Sequence, residues 1–145
     1  MTAKKIVYVT RRERFNAAHK LWNDKWSAEK NHEVFGKCAH PNWHGHNYEL
    51  FVTVKGEPNP DTGYCVDLKH LSDLLDERVV EVFDHRNINL DVPQMQGLLV
   101  STENIAIVIW EMIEEGIREL GCTLHKVELY ETENNSAVYY GPQEV

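Results

Sequence analysis

The sequence predicts an α+β fold in which an antiparallel sheet is covered on one face by two helices, in the order β-β-α-α-β-β. Three observations lead there. Apolar residues alternate with period two towards both ends of the chain, two intervening stretches repeat theirs at three- and four-residue steps, and no linker or low-complexity run divides the 145 residues. A single domain over residues 1–145 is expected, long enough to bury a core without disulfide staples.

In chain order, residues 5–19 set Val7, Val9, Phe15, Ala17 and His19 at alternate positions and predict a long first strand with a charged interruption at Arg11 to Arg14. Residues 20–42 hold no sustained period and contain Gly36 and Pro41, which reads as a long loop, and loops of that length commonly carry function. From His44 the even positions His44, His46, Tyr48, Leu50, Val52 and Val54 form one face of a second strand, ended by the Pro- and Gly-rich stretch from Gly56 to Gly63.

Asp67 is a candidate N-cap for a helix with Leu68, Leu71, Leu75, Val79 and Val82 on one stripe. Ser101 or Thr102 caps a second helix, whose Ile105, Val108, Ile109, Met112 and Ile113 form a broad apolar face up to Leu120 and Gly121. Val127, Leu129 and Glu131 alternate in a third strand, Asn134 and Asn135 turn the chain, and Ala137 to Tyr140 make a short fourth. A sheet with helices on one face leaves its other face to be covered. In a chain this short another subunit is the natural cover, so an oligomer is expected.

The 15 Lys and Arg against 23 Asp and Glu give a formal charge of -8, which repels phosphate backbones and anionic bilayers. Nucleic acid and membrane are therefore not expected as partners. A small anionic substrate remains compatible, because a local metal and a few basic side chains outweigh the global field inside one pocket. The apolar stretch Ile6 to Val9 is too short for a signal segment or a membrane span, so a soluble, cytoplasmic protein is expected. Cys38, Cys65 and Cys122 are odd in number and lack any C-x-x-C, so free thiols are expected too.

A strand places residues i and i+2 on one face, so His44 and His46 direct two imidazoles towards one point. Gly45 between them allows close approach of backbone or ligand. Adding His19 from a neighbouring strand gives three neutral imidazoles with a fourth position open, the arrangement of catalytic zinc; the alternative is ordinary polar residues at strand ends. Cys38 lies in the loop entering that strand, where a dication or a histidine would ionise its thiol for service as base or nucleophile; otherwise it is a small buried apolar group. Asp84 and His85 suit a proton relay, or a charged helix C-terminus favoured by the dipole. Glu131 shares the apolar parity of its strand. An inward carboxylate there requires partners, such as a guanidine-like ligand edge, unless the strand has ended at Tyr130 and Glu131 faces water.

Together the segments F-N-A-A-H ending at His19, F-G-K-C ending at Cys38, P-N-W-H-G-H-N-Y across His44 and His46, V-F-D-H ending at His85, S-T-E-N at 101–104 and Y-E-T-E-N-N from Tyr130 resemble the 6-pyruvoyl-tetrahydropterin synthase family. The resemblance runs from about residue 12 to Gly141. It implies the tunnelling fold (T-fold), with three subunits closing a barrel and two trimers stacking into a homohexamer whose active sites lie at subunit contacts. It implies Zn2+ on His19, His44 and His46, Cys38 as catalytic base, Asp84 and His85 assisting from an adjoining subunit, and Glu131, Thr102 and Glu103 as substrate-binding residues.

The implied substrate is 7,8-dihydroneopterin triphosphate, and the implied reaction eliminates triphosphate to leave 6-pyruvoyl-tetrahydropterin, on the route to tetrahydrobiopterin. A sister branch, 6-carboxy-tetrahydropterin synthase, releases acetaldehyde and feeds queuosine synthesis. Cys38 precedes His44 by six residues, which is similar to the pyruvoyl branch. A zinc-bound pterin-binding oligomer without chemistry is the non-enzyme alternative. Trp43 stands where the family pattern usually has glycine, so a bulky aromatic there either reshapes the side-chain pocket or, since strand parity points it away from His44, packs at a subunit contact.

Overall fold

The computed structural model describes residues 3–144. Strand β1, Val7–His19, pairs antiparallel with β2, His44–Gly56, in unbroken register from Val7↔Gly56 to His19↔His44. Between them lie α1, Ala28–Phe35, and a 3₁₀ turn, Gly36–Ala39. The predicted loop therefore contains a helix. It has no apolar stripe, since its one buried residue is Asn31, and hydrophobic periodicity is silent on such an element. Its ends are nevertheless marked: the Ser27 hydroxyl accepts from Lys30 N at 3.1 Å, and Gly36 closes it at φ 56.

After β2 comes α2, Leu68–Leu75, capped by the Asp67 carboxylate on Lys69 N at 2.9 Å. It runs through one wider π-type turn, Asp76–Val80, into the short α3, Glu81–Phe83. Leu71, Leu75, Val79 and Phe83 are buried along this run, whereas Leu68, expected in the same stripe, is 48% exposed in the first turn. A two-residue strand β3, Arg86–Asn87, follows, then α4, Ile88–Asp91. The second long helix is α5, Thr102–Glu119, with Gly121 past its end at φ 92. Strands β4, Thr123–Thr132, and β5, Asn135–Tyr139, complete the fold.

The sheet order is β3-β1-β2-β4-β5, five strands where the sequence predicts four. The addition is β3, which runs parallel to β1 through Ala17↔Arg86 and Ala18↔Asn87; two residues are too few to display a period. The remaining neighbours are antiparallel. Helices cover one sheet face: Phe15, Tyr48, Leu50, Val52, Val127 and Leu129 meet Ile105, Ile109, Ile113 and Ile117 in one core. The opposite face is largely polar, with Arg12 and Arg14 at 3.8 and 3.2 Å from the Glu49 carboxylate and Thr10 bonded to Thr53 at 2.7 Å.

Candidate metal centre and active site

The β1–β2 register decides what meets at the end of the sheet. His19 lies opposite His44, Ala17 opposite His46 and Phe15 opposite Tyr48, all on the helix-covered face. One ligand atom from each of His19, His44 and His46 falls within 4.8 Å of the others, so these three residues can hold a metal ion. Each has a buried ring nitrogen that makes no hydrogen bond: Nε2 of His19, Nδ1 of His44 and Nε2 of His46. Three such nitrogens converging in one place fit a cation.

The orientation of His19 is fixed from behind. Its Nδ1 lies 2.7 Å from the Val100 carbonyl, which only accepts, so the proton sits on Nδ1 and Nε2 presents its lone pair to the site. Burial lowers the His19 pKa below the ordinary imidazole value, against the raising effect of the Val100 carbonyl. Burial lowers His44 as well, with help from neighbouring His46. Neutral imidazoles are the form that ligates.

Beside the histidines stands Glu131. Its Oε1 is 3.4 Å from His46 Nε2 and its Oε2 3.9 Å from His19 Nε2. The strand has not ended at Tyr130. Between Tyr130 and Thr132 β4 carries one residue more than β5, a bulge centred on Glu131, and bulges beside functional sites commonly aim a side chain. Ser101, not Thr102, caps α5, accepting from Asn104 N at 3.1 Å. The Thr102 hydroxyl is thereby free to donate to Glu131 Oε2 at 2.5 Å. Glu103 is exposed in the first turn of α5, and with Thr102, Glu131 and Ser136 it lines a groove of about 480 Å³.

A larger cleft of about 770 Å³ runs past Asn16, His46, Tyr48, Asp84 and Glu131. Asp84 lines it, and Asp84 and His85 do face each other: His85 Nδ1 lies 2.8 Å from Asp84 Oδ2. Adjacent residues in one element rarely manage this, but α3 has ended, Asp84 is extended and His85 adopts φ 58, which turns the ring back. The Asn16 amide donates to Asp84 Oδ1 at 2.8 Å, and this bond is the main reason the carboxyl pKa is lowered. His85 is 81% exposed.

Cys38 is half-buried in the 3₁₀ turn, its carbonyl accepting from Leu21 N at 2.7 Å. The metal-ligand cluster comprises the three histidines without Cys38. Nor does Cys38 hydrogen-bond to Asp84 or His85 among the described residues. One subunit thus unites His19, His44, His46, Glu131 and Thr102 at one point, sets Asp84, with His85 bonded to it, along the adjoining cleft, and carries Cys38 on a separate segment.

Two residues of this region were not singled out by sequence. Tyr48 continues the face of His46; its hydroxyl is buried without a partner, and burial and the Glu131 charge raise its pKa, keeping it protonated. Asn16 bonds both Asp84 and, through its side chain, Asn47. Two expectations change. A Cβ built on Gly45 would meet Ala17 O at 3.7 Å, an ordinary contact, so backbone approach does not require that glycine. Trp43 precedes β2 at φ 63, so strand parity does not govern it; its ring lies 4.5 Å from Lys20 Nζ within the same subunit.

Comparison with known proteins agrees with this fold. The family model described as 6-pyruvoyl tetrahydropterin synthase matches residues 8–142. The 6-pyruvoyl tetrahydrobiopterin synthase of Pongo abelii is 43% identical over 92% of this chain and 90% of its own. That of Dictyostelium discoideum is 40% identical over 94% and 98%. The structure of Caenorhabditis elegans 6-pyruvoyl tetrahydropterin synthase superposes with a TM-score of 0.91 at 36% identity, covering 98% of this chain and 100% of that one.

Proposed function

Because the chain belongs to the 6-pyruvoyl tetrahydropterin synthase family, we propose that it is a zinc-dependent lyase that converts 7,8-dihydroneopterin triphosphate to 6-pyruvoyl-tetrahydropterin and triphosphate. The observation that carries this reading is the convergence of His19, His44 and His46 donor atoms within 4.8 Å, with the Glu131 carboxylate alongside.

His19, His44 and His46 would hold the ion, which when bound supplies a Lewis acid that makes the protons beside the substrate's side-arm hydroxyls easier to remove. Glu131 anchors the guanidine-like edge of the pterin by two parallel N–H···O bonds, with Thr102 fixing the carboxylate and Glu103 at the rim. The Cys38 thiolate takes a C–H proton from the substrate's three-carbon arm. The released electron pair moves into the pterin ring, and the carbon–oxygen bond to triphosphate breaks by elimination. His85, oriented by Asp84, returns a proton and completes the internal redox rearrangement, so no external oxidant or reductant is consumed. Cys38 is not hydrogen-bonded to the Asp84–His85 pair within one subunit, and in this reading they come together across a contact between subunits of a cytoplasmic homohexamer.

The test is product mass spectrometry with zinc-loaded protein and 7,8-dihydroneopterin triphosphate. A pyruvoyl pterin with stoichiometric triphosphate is expected. A carboxypterin with acetaldehyde would assign the sister reaction, and binding without triphosphate release would leave a pterin-binding protein.

A further inference from the structure

We propose that Asn31 is a positioning residue that holds Cys38 in register with the metal ligands, an inference that rests on the assignment of Cys38 as the base. Residues 20–43 form an excursion whose two ends are the paired ligands His19 and His44. Within it Asn31 is fully buried, one of only four buried polar or charged side chains among the described residues. A buried carboxamide is tolerated only when its donors and acceptor are used, and all of them are. Its Oδ1 accepts from Asn23 N at 2.7 Å, and its Nδ2 donates to Asn23 O and to Ser27 O, both at 3.0 Å.

By bonding both the amide and the carbonyl of Asn23, this side chain does what a neighbouring strand would do for an extended residue. The same device recurs three residues earlier. Asn89 Oδ1 accepts from Lys20 N at 2.9 Å and Asn89 Nδ2 donates to Lys20 O at 3.1 Å, which continues the edge that β3 begins. Between these two clamps Leu21 N donates to the Cys38 carbonyl at 2.7 Å. Residues 20–23 therefore form a rail leaving His19, fixed at one end by Asn89 and at the other by Asn31, and Cys38 is fastened to its middle. Asn31 also stands on α1, whose end at Gly36 leads directly into the turn that carries Cys38. It thus fixes the rail to the helix that delivers the thiol. None of its partners is a metal ligand, and the Leu21 amide on the Cys38 carbonyl is the bond by which the rail reaches the thiol's segment.

The experiment compares Asn31→Asp, nearly isosteric, with the wild-type zinc-loaded oligomer. The carboxylate keeps an acceptor for Asn23 N and sets a second oxygen against the Asn23 and Ser27 carbonyls. Zinc content should stay at the wild-type level and KM within about twofold, while kcat falls about tenfold or more. Peptide-resolved iodoacetamide labelling should show that zinc loading changes the Cys38 alkylation rate in the wild type and changes it less in the variant. Should Asn31→Asp not fold, Asn31→Ser, which cannot bridge both groups of Asn23, is measured in the same way. Unchanged kcat with unchanged Cys38 labelling overturns the inference, and so does loss of zinc in parallel with kcat, which would make Asn31 a general stabiliser. Failure of the underlying assignment is read separately: it would appear as activity retained in Cys38→Ala.

Discussion

The three histidines and Cys38 are positioned by opposite means. His19, His44 and His46 project from a ladder paired without a shift along its whole length, so their convergence follows from pleat and register. Cys38 stands on an irregular excursion of the backbone, held by the Leu21 amide and by carboxamide side chains acting as substitute strands. The contrast teaches that the candidate metal site belongs to the sheet and thiol placement to the loop, so mutation should separate them.

The largest effect expected from breaking the ladder side is loss of both properties. His44→Ala leaves two imidazoles, too few for a zinc site with three protein ligands, and should abolish both zinc retention after dialysis and triphosphate release. Full activity with zinc absent would remove the ion from the reaction. On the loop side, Cys38→Ala should lower kcat by ~10²–10⁴-fold, the usual contribution of a positioned general base, with zinc content intact by elemental analysis. Zinc loss in that variant would erase the distinction between the two regions. Glu131→Gln keeps shape and removes charge; two weakened charge-assisted hydrogen bonds, ~1.5–3 kcal/mol, should raise KM by about 10–100-fold and spare zinc. A change confined to kcat would instead assign Glu131 to the chemistry.

Legibility in the sequence divides along the same line. Alternation from His44 to Val54 gives β2 and the shared face of its two histidines, and the stripes of α2 and α5, with caps at Asp67 and at one of Ser101 and Thr102, are equally open to reading. What stays hidden depends on contacts distant in sequence or on backbone reversals. Helix α1 buries a polar Asn31 instead of an apolar stripe, and β3 is too short for any period. The Asp84–His85 bond depends on a positive φ after the helix end, and the aim of Glu131 on a bulge that only pairing with β5 defines. Trp43 illustrates the limit of parity, because its left-handed backbone lies outside the strand whose alternation would otherwise orient it.

The smallest expected effect concerns pH, and it distinguishes the metal ladder from the cleft edge. Burial holds His19 and His44 below the ordinary imidazole value of 6.5, to which they return on unfolding. Below 6.5 the unfolded state binds more protons than the folded one, so the stability these residues contribute is fully present above that value and is lost as pH falls through their folded values. Asp84 is likewise lowered, by the Asn16 amide, but from 3.8, so its contribution persists until far more acid conditions. Metal-free protein should therefore lose Tm between about pH 7 and pH 5, while Asp84 still contributes. Bound zinc competes with protons for the same lone pairs and should move the loss to lower pH. A flat Tm over that interval in metal-free protein, or an equal slope in the His19→Asn, His44→Asn double variant, would show that these imidazoles do not set the acid limit of the ladder.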